Sequence, residues 1–411
     1  MCLGKRIEEA DRFQKITIIW VSPTTLDLFL HSTAVLDILR QFAKSGHKVT
    51  LISVRSRDIS RIKNPQVRMI FVPLRFVPVV SPIMFAIVLF FFLPISIIIS
   101  KPDHVILSPE APPSILSSLP GLLISRFKKV KFVLDIRSIP VETVGIRGFL
   151  HRFWFSVSVL IAKKSFDGIT TITPLMKKEI CNGFDVDLDK VGVWTSGVSD
   201  SLFNPETLTT KRLELKRKLG LTGKFVVFYH GIFTATRGLT ETIEAMKILR
   251  RKHPNIVFFL LGTGPIVTML RALIQKEGLQ ENVIITNSVN QSEVPKFIGM
   301  CDVCIVPLPD HPYWRSQSPL KLLEYLAMEK VVILTDIPAH RAVIGEAKCG
   351  IYISSVKPIE IAKAIEYAYL NKENLQELGK IGRAIIKEKF TWAKVAGDLE
   401  NYLLSIDVKV N

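Results

Sequence analysis

Residues 316–338 read SQSPLKLLEYLAMEKVVILTDIP, and this stretch decides the fold. Ser316, Ser318, Pro319 and Lys321 make a polar loop that runs into a short helix carrying one carboxylate, Glu324. The apolar run Val331 to Leu334 follows and closes on Thr335-Asp336. Loop, helix, buried parallel strand and polar crevice at the strand's carboxyl end is the repeating unit of an open α/β sheet. A Glu fixed on a helix at such a crevice offers two oxygens to two neighbouring hydroxyls, as a ribose presents them.

The same grammar extends in both directions. In KFVVFYHGIFTATRGL, Lys224 to Tyr229 reads as a buried strand, His230-Gly231 as a turn, and Leu239 to Arg251 as a helix. Free N–H groups and the helix dipole favour an anion there, with Arg237 beside them. The strand Asn255 to Leu261 ends in Gly262-Thr263-Gly264-Pro265, which lacks the third glycine and the acid of a dinucleotide fingerprint. Val283 to Val289, containing Ser288, and Val303 to Leu308 are further strands. Towards the N-terminus, a strand Ile16 to Val21, a helix Val35 to Lys44 and a strand Lys48 to Val54 open a βαβ unit. KFVLDI, Lys131 to Ile136, carries Asp135 and Arg137 at its carboxyl end, where open α/β sheets keep their chemistry. A surface ion pair is the plainer reading of those two residues. Gly168 to Thr173 is the next strand, and Phe390 to Ile406 is an amphipathic tail helix.

A chain of 411 residues fits two domains rather than one core. The net charge of +17 implies an anionic partner: phosphates, nucleic acid or acidic lipid headgroups. No nucleic-acid-binding signature accompanies the charge. The five cysteines make no disulfide framework. Cys301 and Cys304 sit in CDVCIVPL, a buried strand with no second pair to complete a metal site. That usage fits a reduced, cytoplasmic compartment. MCLGKRIEEADRF has no apolar core and does not read as a signal peptide.

Residues 76–100, FVPVVSPIMFAIVLFFFLPISIIIS, carry no charge and are long enough for one bilayer crossing at roughly 20 residues. The segment reads as a transmembrane helix, a core helix or a helix in the membrane interface. A strand at His104 to Ser108 follows it. If that strand joins the sheet of Lys48 to Val54, a full crossing would split one sheet between two sides of a membrane. Pro78, Pro82 and Pro94 are expected to break regular helix. These points favour a segment that dips into the membrane, and Arg55, Arg57, Arg61, Lys63, Arg68 and Arg75 would suit anionic headgroups.

SPLKLLEYLAMEKVVILTD resembles the nucleotide-sugar segment of family-4 glycosyltransferases, retaining enzymes of the GT-B type. Glu324 matches the second Glu of their Glu-x7-Glu pattern, while Ser316 stands where the first would be. Arg237-Gly238 matches the basic-Gly pair on the donor diphosphate, and Lys321 matches variants that carry SPLK. Gly264 resembles a strand-end glycine beside the nucleotide; Ser288 and Val289 fall where relatives meet the base. The first loop, SPTTLDLFLHST, has no Gly-Gly pair.

The resemblance implies an α/β fold of two facing Rossmann-like domains with parallel sheets and a C-terminal helix crossing back to the N-terminal domain. It implies an acceptor domain at 1–205, a donor domain at 206–388 and the crossing helix at 389–411. It also implies a hexosyltransferase-type enzyme moving sugar, with retention, from a UDP- or GDP-sugar to a lipid-linked or membrane-located acceptor. Arg237 and Lys321 would stabilise the leaving group, Glu324, Gly238, Gly264, Ser318, Ser288 and Val289 would hold the nucleotide sugar, and Asp135 would join the chemistry. No metal and no separate cofactor are implied, and the enzyme is expected on the cytoplasmic face of a membrane, peripherally attached. His31, His230 and Asp27 are weaker polar candidates. A sugar-nucleotide epimerase and an inactive scaffold of a glycan-assembly complex are the alternatives.

Overall fold

The computed structural model describes residues 15–25, 30–54, 66–72, 80–108, 114–140 and 145–408. Asp27, the side chain of His31, residues 76–79, and Arg55, Arg57, Arg61, Lys63 and Arg75 lie outside them. The chain forms two units, Met1–Trp194 with Val395–Asn411, and Thr195–Lys394. The first division falls after Trp194, where the sequence placed it after residue 205.

The first unit is built in the order β1 (Thr17–Thr25), α1 (Leu30–Lys44), β2 (Lys48–Val54), β3 (Arg68–Val72), α2 (Val80–Ser100) and β4 (His104–Leu107). It continues with α3 (Leu119–Lys128), β5 (Lys131–Ile136), α4 (Gly145–Ser165), β6 (Gly168–Thr171), α5 (Pro174–Phe184) and β7 (Val191–Val193). Among the described residues its strands are ordered β3-β2-β1-β4-β5-β6-β7, every pair parallel. Parallel strands need crossovers, so helices cover the faces and the strands are buried on both sides.

β2 and β4 lie in one sheet, so α2 connects strands of the same layer and a full bilayer crossing is incompatible with it. The helix is also unbroken: it runs through Pro82 and Pro94, contrary to the sequence expectation. Pro82 stands in the first turn, where its missing N–H has no intrahelical partner to lose, and Pro94 removes one interior bond without ending the helix. Phe85, Leu89, Leu93 and Ile97, four apart, form its inner stripe in the sheet's core.

The second unit comprises α6 (Thr209–Lys218), β8 (Phe225–Ile232), α7 (Leu239–Leu249), β9 (Ile256–Thr263), α8 (Val267–Lys276), β10 (Val283–Thr286) and α9 (Val294–Met300). Then come β11 (Val303–Val306), α10 (Leu320–Ala327), β12 (Val332–Thr335), α11 (Pro338–Ile344), β13 (Gly350–Ile353), α12 (Pro358–Leu370) and α13 (Leu375–Ile385). Its strand order is β10-β9-β8-β11-β12-β13, again wholly parallel. β8 shows why two cores form: Val226 and Phe228 enter one, while Phe225, Val227 and Tyr229 enter the other. Cys301 and Cys304 are buried, and burial pushes both thiols up.

The last helix, α14 (Trp392–Val408), belongs from Val395 onward to the first unit. The Tyr402 hydroxyl accepts from the Ile169 N–H at 3.1 Å and donates to the Lys190 carbonyl at 2.6 Å. A Cβ on Gly192 would stand 2.4 Å from the Tyr402 ring, so the glycine admits it. Burial pushes this phenol well above its ordinary value.

Candidate active site

In an open parallel sheet the crevice opens where strand order reverses, between β8 and β11 in the second unit. β8 ends there in His230-Gly231-Ile232, and a short turn, Ala235–Arg237, leads through Gly238 into α7. Gly238 has φ +65°, and a Cβ would lie 2.1 Å from the Pro307 carbonyl oxygen; only glycine fits. The Arg237 guanidinium stands 4.9 Å from the Trp314 ring centroid, and the Tyr229 hydroxyl donates to the Ile232 carbonyl at 3.3 Å. Burial above all raises that phenol to about 12, so Tyr229 stays neutral. The buried Nε of Arg237 has no partner atom.

Lys321 enters from the first turn of α10, its ammonium 5.1 Å from the Tyr229 ring. Burial, then the Arg237 charge, pull its pKa well down, while Glu324 pulls it up. A Cβ on Gly231, at φ +121°, would sit 2.7 Å from Lys321 Cε, so that glycine leaves the lysine its path. One turn along α10, Glu324 Oε2 lies 3.0 Å from His230 Nε2. The neighbouring Tyr325 hydroxyl accepts the His230 backbone N–H at 3.0 Å. The imidazole is wedged between Phe228 and Tyr325, with centroids at 5.8 and 5.2 Å.

Arg237, Lys321, Glu324 and Gly238 are thus brought together. Gly264 packs against Phe233, where a Cβ would be 2.2 Å from the carbonyl oxygen. Ser318 Oγ accepts the Ser196 N–H at 3.2 Å and lies 3.0 Å from Thr195 Oγ1, so it ties down the loop before α10. Exposed Ser288 and half-buried Val289 follow β10 at the sheet's carboxyl edge. Ser316 is buried.

Asp135 is different. It lies in the first unit at 0% exposure, where Oδ1 accepts from Thr170 Oγ1 at 2.8 Å and from Trp194 Nε1 at 2.9 Å. Arg137 stacks 3.6 Å over Trp194 and donates to its carbonyl. The strand-end pair clamps Trp194, and a carboxylate with no exposed surface has no access to a substrate. The sequence singled out Asp135 by strand position, which does not reveal burial. It passed over Tyr229 and Trp314, and it named His230 only as a weaker polar candidate, with no sign that the ring faces Glu324. Asp-x-Asp spacings occur twice, in Asp185-Val186-Asp187-Leu188-Asp189, and Asp185 pairs with Lys163 at 2.9 Å. Among the described residues no three metal-ligating side chains gather.

Residues 211–385 match the family model for glycosyl transferases group 1. The matched stretch lies wholly within the second unit. The chain is similar to an uncharacterized glycosyltransferase, MJ1607, of Methanocaldococcus jannaschii, at 22% identity over 57% of this chain and 58% of that one. It spans about half to three-fifths of the curated relatives it matches. Among solved structures, a glycosyltransferase from Rickettsia africae superposes with a TM-score of 0.77 at 17% identity, covering 96% of this chain and 99% of that one. Anabaena HepE, solved with UDP and glucose, superposes at 0.73 with 13% identity over 95% and 100%. The fold is the two-domain, parallel-sheet architecture of these glycosyltransferases.

Proposed function

We propose that the protein transfers a sugar, with retention, from a nucleotide-diphosphate sugar to a lipid-linked or membrane-located acceptor. The convergence of Arg237, Lys321 and Glu324 at the β8/β11 crevice carries this reading. When the bond from the anomeric carbon to the β-phosphate oxygen breaks, the electron pair stays on the phosphate. Pre-positioned cations are then most valuable in a dry site, because they need no reorganisation. Lys321 is poorly solvated beside Arg237, so an arriving anion favours its charged form. The unpartnered Nε of Arg237 is a second donor awaiting an oxygen. Glu324 accepts from the ribose hydroxyls, with Ser288 and Val289 beside the base. Retention follows the family resemblance; the departing phosphate, rather than a protein carboxylate, takes the acceptor proton. Asp135 is left out because of its burial.

The test is to incubate the purified full chain with a panel of UDP- and GDP-sugars and membrane lipid extract. Release of free nucleoside diphosphate that needs both donor and lipid supports the proposal. An altered sugar nucleotide without release would make it an epimerase, and binding without turnover would make it a scaffold.

A further inference from the structure

In the first unit, α2 packs against α3, and α2, α3 and α4 cover β1, β5 and β6 from the same core. Their inner residues share one core cluster: Leu89 and Leu93 from α2, Leu122 from α3, Val159 from α4. At Gly121 a Cβ would come within 3.2 Å of Leu93 and Ile97, so α3 lies tight against α2. The outer sides of such helices are ordinarily polar. Here they are apolar: Phe91 and Ile99 on α2 are 65% and 72% exposed, Phe127 on α3 89%, and Phe149 on α4 62%. Soluble chains rarely leave so many large apolar side chains uncovered on one core's outer side.

Charge identifies what covers it. The three helices contain no Asp or Glu. In a parallel sheet their carboxyl ends share one edge, where Lys101, Arg126, Lys128, Lys129 and Lys164 are exposed. The nearby acids are engaged, Asp103 with the Thr17 N–H and Asp167 with Lys131. Apolar side chains bordered by unpaired-sign cations match the boundary between acyl chains and anionic headgroups.

We propose that the outer face of α2, α3 and α4 is a single docking surface for an anionic bilayer, with α2 in the interface plane rather than across it. The acceptor side of the enzyme then reaches lipid through three helices, not through the segment 76–100 alone. The proposal stands whether or not the sugar-transfer reading holds, because vesicle binding is measured without any donor.

Full-length protein is sedimented with phosphatidylcholine vesicles with and without phosphatidylglycerol, using Phe91→Glu, Phe127→Glu and Phe149→Glu. Each exposed site leaves the core intact, and an unchanged Tm checks this. The expected result is binding that requires phosphatidylglycerol and falls about 10-fold or more in every variant. Loss in Phe91→Glu alone would overturn the three-helix face, and equal binding to neutral vesicles would overturn the role of the cations. Absence of vesicle binding, or a dimer in solution that Phe127→Glu dissolves, would assign the face to another partner. A fluorophore at residue 91 quenched best by lipids labelled at the bilayer centre would overturn the in-plane orientation.

Discussion

At the residue scale, the crevice depends on side chains whose neighbours fix them before any ligand arrives. Glu324 Oε2 lies 3.0 Å from His230 Nε2, and that imidazole is packed between Phe228 and Tyr325. Glu324→Ala is expected to raise the donor KM and lower kcat; unchanged kinetics would remove it from the site. His230→Ala should reproduce part of that KM rise, and His230→Gln, which keeps a donor, should restore it. Equal loss in both variants would mean packing rather than orientation. Arg237→Ala and Lys321→Ala should each lower kcat by ~10²-fold or more if they bear on the leaving group. Wild-type turnover in either would discard that role. Glu324 and Arg237 were legible in the sequence because strand, turn and helix place them at a carboxyl edge. The His230 contact was not, because a contact 94 positions away in the chain leaves no local signal.

At the element scale, burial decides what composition leaves open. His340, at the start of α11, donates to the Thr335 carbonyl at 2.8 Å, and burial lowers its pKa to about 4. The folded state therefore refuses a proton that the unfolded chain accepts near pH 6.5. Stability should fall as pH drops from 6.5 towards 4, by roughly 3 kcal/mol in all if this group acts alone. Urea melts of His340→Gln against the parent between those values should show a flatter pH profile in the variant; parallel profiles would rule His340 out. The helix α2 makes the same point. Its hydropathy is equal to a membrane span, yet Leu93→Ala on the inner stripe should cost about 2–5 kcal/mol in denaturant melts. Phe91→Ser on the outer side should cost little, and similar costs for both would contradict the two-sided reading. The strands β1, β2, β4 and β5 were legible as apolar runs; β3, RMIFV, and β13, GIYI, were not, being short and only partly buried edge strands.

At the scale of the whole molecule, the end of the chain serves its beginning. Val395, Leu399, Leu403 and Ile406 are buried in the first unit, and Tyr402 bonds to β6 and the residue before β7. Deleting residues 395–411 should therefore remove hydrogen-exchange protection from β6 and β7 while β8 to β12 keep theirs. Loss spread over the second unit instead would show that the helix supports that unit. The parallel α/β class, the two-domain count and the turn that carries Arg237 into α7 follow from the sequence alone, because strand periodicity, chain length and helix-start chemistry are local or additive properties. Which carboxylate is buried, which helix stays in the core and which side chains meet Glu324 were decided only by the tertiary structure. Those properties depend on residues far apart in the chain, and burial, unlike periodicity, is a relation between them.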